Sequence, residues 1–338
     1  MNALYETLFR SLTFSLLDNC CREYLFLKDF FLVDGSGLKK LFTKIMQRSM
    51  DMIKTHMLDQ VEKMHDSLAL FLCMHIIYRF QIICHKRNVP CLDAFWEYQL
   101  KMISPKLEHI LYANISSIQT IDIRMLDIDT RPHYVTRRYA EYAASVNLIN
   151  EHFSSESISM IMLEMQQSIE VTIQQIATVF PDRKSQLVFF VNNYDVILSV
   201  FNETTNEPTK EAQIFTAQLK NRCNEYVELT LQPFIGQIMD VVNEKITAQE
   251  MNKSQVQSIC NSFNDKWRGS IDKINNEIMR SFTNFKNGTN LLQNTLNGLV
   301  QYYAKFQKLV QSEPEFEGVS MTSVHTVMVE VKKHKTAF

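Results

Sequence analysis

Glycine and proline are scarce in this chain, with 7 of each in 338 residues, about a third of ordinary usage. Few tight turns can be built from so little, which argues for long helices. The scarcity also excludes function classes. Gly35 and Gly37 lack the third glycine of a dinucleotide-binding loop, and no Lys-Ser/Thr follows a glycine-rich run as a phosphate-cradling loop would require. Neither Gly-x-Ser-x-Gly nor His-Glu-x-x-His occurs. An excess of one charge is missing too: the formal net charge of −2 suggests neither nucleic-acid binding nor a disordered acidic tail. No basic segment precedes an apolar core at the amino terminus, so no signal peptide is read. The most apolar run, Leu68 to Ile83, is interrupted by His75, Arg79 and Gln81 and falls short of the roughly 20 residues that span a bilayer. It is expected to be a buried core helix, which leaves only peripheral membrane association.

Seven cysteines are present, two of them adjacent at Cys20 and Cys21. An odd, scattered set is no disulfide framework and fits a reducing compartment. Cys73, His75, Cys84, His85 and Cys91 form the one metal-like cluster. On a helix, however, Cys73 and Cys84 lie roughly 16 Å apart, too far to hold one ion. Buried cysteines are the better reading, and no metal or other cofactor is expected. The carboxylates Asp127 and Asp129 fall in a polar stretch where solvation explains them. No enzymatic activity and no small-molecule substrate are expected.

What the chain does have is helical periodicity. Leu4, Leu8, Leu12 and Leu16 open a first helix that should stop near Asp34-Gly-Ser-Gly37, with Ser36 capping the next. Leu38 to about His56 and Leu58 to His85 read as helices, and Asn88-Val-Pro90 ends that part. Ser104-Pro105 reads as a helix start. Between Asn114 and Thr130 the 3.6-residue period fades, which predicts a boundary: residues 1–128 as a first helical bundle, and 129–338 as a longer second region with a loop near 202–210. Helices should resume at Pro132, near Ser157, at Asp182 as a cap, from Thr209 to Tyr226, and after Pro233. Val324 to Val331 fits helix or strand. Ile271, Ile278, Phe285, Leu292, Leu299 and Phe306 recur every seven residues, which predicts one continuous helix from about Asn252 to Gln311, on the order of 90 Å long. Ser281, Gly288 and Thr295 would then let a neighbouring helix come close. The alternative is a joint at Asn287-Gly288, with Thr289 capping a new helix. Met46, Met50, Ile53 and Met57 share a helical spacing and are read as core.

The segment Asp129-Thr-Arg-Pro-His-Tyr-Val-Thr-Arg-Arg-Tyr-Ala-Glu-Tyr142 carries the candidate site. Val135, Tyr139, Tyr142, Val146 and Ile149 form one stripe of a helix. His133, Tyr134, Arg137 and Arg138 lie beside it and could form a partner-binding face, since arginine and tyrosine are common interface anchors. The plainer alternative pairs Arg137 with Glu141 at i,i+4. Lys332, Lys333 and Lys335 could touch acidic headgroups, although a solvated tail explains them as well.

That segment and Arg280-Ser-Phe-Thr-Asn-Phe-Lys-Asn-Gly-Thr289, in this order, resemble one family: the vacuolar protein sorting-associated protein fifty-two subunit of the Golgi-associated retrograde protein (GARP) complex. Cys21-Arg-Glu-Tyr-Leu-Phe-Leu27, Phe42-Thr-Lys-Ile-Met-Gln-Arg48, Arg79-Phe-Gln, Arg183-Lys-Ser-Gln-Leu-Val-Phe189, Asn192-Asn-Tyr-Asp195 and Val331-Lys-Lys-His-Lys335 look like it too, so the likeness runs from near Met1 to Phe338. Nothing here corresponds to the family's amino-terminal coiled coil, which implies the carboxy-terminal half, as a short form or a fragment. The resemblance implies an all-α fold of consecutive antiparallel helical bundles forming an elongated rod. It implies a non-enzymatic subunit of a vesicle-tethering complex, acting in retrograde transport from endosomes to the trans-Golgi network and in endocytic recycling. The implied partners are the other subunits, a Rab-family small GTPase, SNARE proteins and a peripheral membrane contact. The implied place is the cytosolic face of the trans-Golgi network and endosomes. The alternative is a helical scaffold or regulator of a small GTPase cycle, for which Arg131 is the candidate loop arginine.

Overall fold

The computed structural model describes residues 4–151, 153–204, 209–243 and 252–334. Among these the fold is all-α, with eleven α-helices, short 3-10 turns and no strand. Two compact units are formed: residues Met1–Ile121 with Tyr142–Thr172, and residues Asp122–Glu141 with Ile173–Phe338.

In the first unit, α1 (Tyr5–Phe31) packs on α2 (Gly35–Lys63) and α3 (Ser67–Lys86), and α4 (Asp93–Gln119) packs on α2 and α3. Leu4, Leu8, Leu12 and Leu16 open α1 as expected, but as a row they are not its core face, because Leu4, Leu8 and Leu12 are exposed and only Leu16 is buried. A step of four residues turns 400°, so such a row drifts about 40° per step around the helix. The buried face is Phe9, Thr13, Leu16, Leu17 and Cys20. The helix ends with Leu32 in the left-handed region, and Gly35 at φ +60 starts α2, which leaves Ser36 inside the helix and not at its cap.

The break expected near Met57 lies instead at residues 64–66. There Asp66 Oδ1 accepts from the amides of Leu68 and Ala69. Met57 is buried within α2, and Gln99 Nε2 donates to its sulfur at 3.0 Å; Met46, Met50 and Ile53 are half-buried. Ser104-Pro105 does not start a helix. Pro105 lies inside α4, which begins behind a 3-10 turn at Pro90–Leu92. Ile103 and Leu107 on either side of it are both buried, and that packing outweighs the roughly 3 kcal/mol a helical proline costs. The α3 helix is long and apolar enough to cross a membrane, with mean hydropathy 1.7. Leu70, Cys73, Ile77 and Cys84 are wholly buried, as in a core helix. All seven cysteines are free thiols. Burial pushes the Cys84 thiol up to about 11 and that of Cys73 further, so neither is an activated nucleophile.

Helices α5 (Tyr134–Asn150) and α6 (Glu156–Ala177) follow α4 in the chain, and each contributes residues to both units. In the second unit, α7 (Arg183–Thr204) packs on α8 (Lys210–Val242), which packs on α9 (Lys253–Ser281) and α10 (Phe285–Ser312), and α11 (Val324–Lys333) packs on α10. Asp182 caps α7 as expected, accepting from Ser185 N at 2.8 Å and Ser185 Oγ at 2.6 Å. Residues 205–208 of the expected 202–210 loop lie outside the described residues, as does Lys335; Thr209 caps α8 by accepting from Ala212 N. Helix α8 does not stop before Pro233 but runs through it, kinking at Ile235 (φ −131, ψ 22). Val324–Lys333 resolves as helix, with Ser323 accepting from His325 N.

The single long helix expected from Asn252 to Gln311 is two helices. Its start is right, since Asn252 and Gln255 form a reciprocal capping box. The chain then breaks at residues 282–284, and Asn284 Oδ1 caps α10 by accepting from Lys286 N and Asn287 N. The arms pack as an antiparallel hairpin, with the rings of Phe263 and Tyr303 stacked at 3.9 Å. Each arm of such a hairpin needs its own apolar seam, so a seven-residue repeat survives on both sides of the turn. Phe285 is the false member: it is 51% exposed, while Phe282, outside the repeat, is 7% exposed and meets Tyr226 edge-on at 5.2 Å.

The close approach expected around Gly288 occurs elsewhere. A Cβ at Gly298 would lie 3.3 Å from Leu231 Cδ1, whereas one at Gly288 would meet only Phe282 Cβ, at 3.5 Å. Gly288→Ala should therefore raise stability by about 0.5–1 kcal/mol through helix propensity. Urea denaturation reads this, and a clear loss would mean that the turn is tighter than described.

Candidate functional site

The start of α5 is built around His133, whose carbonyl accepts from Arg137 N at 3.3 Å. Pro132 therefore lies outside the helix and not at its first position. His133 is not part of an exposed face. Its side chain is buried, Nδ1 accepts from Val135 N at 3.4 Å, and its amide donates to Asn193 Oδ1 at 2.9 Å. Burial lowers its pKa against the opposing pull of Asp129, so the neutral ring is favoured.

The other three candidates do share a surface. Tyr134 is 54% exposed, and the Arg138 guanidinium lies 5.5 Å from the centre of its ring. Arg137 and Arg138 are both exposed. Arg137 Nε donates to Glu141 Oε1 at 3.0 Å, the i,i+4 pair that its spacing allows. Such an exposed pair contributes a few tenths of a kcal/mol at most. The result is one ring carrying one stacked cation, with a second cation beside it that is easily released from its glutamate. This arrangement can bind an acidic or carbonyl-rich surface. Arg131 is held locally, its Nε lying 3.3 Å from Asp129 Oδ2.

What supports this surface was not read from the sequence as a site. Asn193 in α7 is wholly buried, accepts from His133 N, and donates to Phe189 O at 2.8 Å. Its neighbour Asn192 donates to Thr130 O at 2.8 Å and Ser281 O at 3.3 Å, while its Oδ1 accepts from Thr283 N at 3.4 Å. Asp195, one turn on, accepts from Asn284 Nδ2 at 2.7 Å; burial raises its pKa and that hydrogen bond partly offsets the effect. The asparagine pair thus ties residues 130–133 to the α9–α10 turn. These two segments are the ones whose character stands out in the sequence, and α7 is where they meet. Beside them, Arg183 makes a two-pronged pair with Glu225 (2.7 and 2.8 Å), and Lys184 pairs with Glu277.

Among the described residues no three His, Cys, Asp or Glu side chains are placed to hold a metal ion. The thiols Cys20, Cys223 and Cys260 are also pushed up by burial, to about 12, 11 and 11. What the geometry provides is a scaffolded surface and no activated nucleophile among these thiols.

Comparison with known proteins agrees with the sequence blocks. A family model described as "Vps52, C-terminal" matches residues 1–227. The chain is 37% identical over 347 residues to the Vacuolar protein sorting-associated protein 52 homologs of Canis lupus familiaris and Homo sapiens, covering 99% of this chain and 48% of each relative. It is 29% identical over 352 residues to the Caenorhabditis elegans homolog, covering 99% of this chain and 50% of that protein. The chain thus spans about half the length of these relatives. With the family model matching residues 1–227 and 37% identity over 99% of its length, this chain belongs to the Vps52 C-terminal family.

Proposed function

We propose that the chain acts as a non-enzymatic subunit of a vesicle-tethering complex, in retrograde transport from endosomes to the trans-Golgi network and in endocytic recycling. The observation that carries this reading is its 37% identity, over 99% of its length, to proteins named for vacuolar protein sorting. A fold of packed helices presenting cationic and aromatic side chains suits a binding part. The partners in this reading are the other subunits of the complex, a Rab-family small GTPase, SNARE proteins and the membrane, met peripherally on the cytosolic face of the trans-Golgi network and endosomes.

The partner-binding face is Tyr134, Arg137 and Arg138, with His133 beneath it as a supporting cap. Arg137→Glu with Arg138→Glu should weaken partner binding about tenfold or more, as loss of interface arginines does. Helix content and melting temperature should stay within error, since both side chains are exposed. Isothermal titration and circular dichroism on the same samples separate the two effects, and an equal loss of stability would make the arginines structural. The function itself is tested by affinity purification of the tagged chain from cells, read by mass spectrometry, with and without the amino-terminal half of a relative supplied. Recovery of tethering subunits and a Rab GTPase is expected. Recovery of neither in both arms would overturn the proposal.

A further inference from the structure

The tip of the α1–α2 hairpin carries apolar surface that the hairpin does not use. The two helices close on each other through Leu27, Leu38 and Phe42, all fully buried, with the Tyr24 and Phe42 rings edge-on at 5.9 Å. Beyond that seam Phe26, Phe30, Phe31 and Leu32 face solvent; Phe30 is 67% exposed and Leu32 is 89% exposed. The Phe26 and Phe30 rings stack at 5.2 Å, and Phe31 meets Phe30 edge-on at 5.0 Å, so three rings form one continuous patch. Leu32 sits at φ +52, a conformation that a leucine adopts only at a cost. The turn thus holds a large apolar side chain outward in a strained backbone.

Exposed Asp29 and Asp34 flank the rings, and the stretch of α2 that follows the turn is cationic. From Gly35 to Met50 the first half of α2 carries Lys39, Lys40, Lys44 and Arg48 and no acidic residue. All four cations are exposed, and none forms an ion pair with a described residue. At the turn, Asp34 is answered by Lys28 at 3.2 Å. Exposed aromatic rings at a helix tip, bordered by unpaired lysines, match the two parts of a lipid interface: an acyl boundary for the rings and anionic headgroups for the amines.

We propose that the α1–α2 tip is a wedge that inserts Phe26, Phe30, Phe31 and Leu32 into an anionic lipid bilayer while Lys39, Lys40, Lys44 and Arg48 bind its headgroups. This deepens the peripheral membrane contact of the functional reading by naming its surface, and it rests on that reading. A protein surface is disfavoured as occupant because four cations without an acid between them select for dense negative charge.

The test is co-sedimentation of the 338-residue chain with phosphatidylcholine vesicles that contain or lack phosphatidylserine. Binding to the phosphatidylserine vesicles, weakened by salt, is expected. Phe30→Ser with Phe31→Ser and Leu32→Ser should lower the apparent affinity at least about tenfold on either salt arm. Lys39→Glu with Lys40→Glu should remove the preference for phosphatidylserine. These last two positions are exposed, so that variant keeps the test valid should the triple variant fold poorly, as circular dichroism would show. Equal sedimentation with and without phosphatidylserine, or unaltered binding by both variants, overturns the proposal. So does a wild-type dimer in analytical ultracentrifugation that the triple variant abolishes, which would make a second copy the occupant. If vesicle binding fails while tethering subunits still co-purify, this inference fails alone and the functional reading stands.

Discussion

Asn193→Ala is expected to destabilise the second unit by about 1–3 kcal/mol. The side chain is wholly buried and holds both a donor and an acceptor in place. Its loss strands the buried His133 amide, and a buried polar group left unpaired costs roughly 1–3 kcal/mol; the Phe189 carbonyl keeps its helical bond within α7. Asn192→Ala should cost a similar amount for a different reason, because it frees Thr130, Ser281 and Thr283 together. The two variants should not add, because both act on the segment just before α5. Urea denaturation gives the magnitude. Hydrogen exchange gives the location, since the His133 amide should exchange far faster in Asn193→Ala and the Thr283 amide in Asn192→Ala. A loss below about 0.5 kcal/mol in both, the range of ordinary surface changes, would mean that the asparagine pair does not hold these segments together.

Phe282→Ala should cost about 3–5 kcal/mol, the range for a buried phenylalanine truncated to alanine. Phe285→Ala should cost clearly less, about 1 kcal/mol, because half of that side chain stays in water. The two residues sit three apart, and only Phe282 is buried, edge-on against Tyr226. A continuous helix with an unbroken heptad would reverse the order, because Phe285 would then be the seam residue. Thermal melts of the two variants side by side therefore decide between hairpin and rod in this part of the chain.

Much of the helical content was legible because it rests on local chemistry. Asp182 caps α7 as expected, Thr209 and Asn252 stand where helices were expected to begin, and the apolar run of α3 is buried as a core helix should be. The misreadings have physical causes. Pro105 and Pro233 sit inside helices because packing on both sides outweighs a local preference. The breaks at residues 64–66 and 282–284 hinge on Asp66 and Asn284 as caps, single polar residues that a search for periodicity passes over. Of the candidate face, the Arg137–Glu141 pair followed from i,i+4 spacing, and the Arg138–Tyr134 contact has the same spacing. The burial of His133 did not follow, because its partner Asn193 is 60 residues away. Asn192 reaches 62 residues back and 89 forward. No local pattern encodes such a junction; the one signal was that each of the segments it joins stood out in the sequence.

The proposed function requires that this chain bind a Rab-family GTPase without accelerating its hydrolysis of GTP. The most direct measurement is single-turnover GTP hydrolysis by a panel of Rab proteins, with saturating chain and with the complex monitored in the same samples. A complex with at least one GTP-loaded Rab is expected, lost on Arg137→Glu with Arg138→Glu, together with a hydrolysis rate unchanged by the chain. Acceleration by orders of magnitude that vanishes with Arg131→Ala would contradict the proposed function and make the chain a regulator of the GTPase cycle.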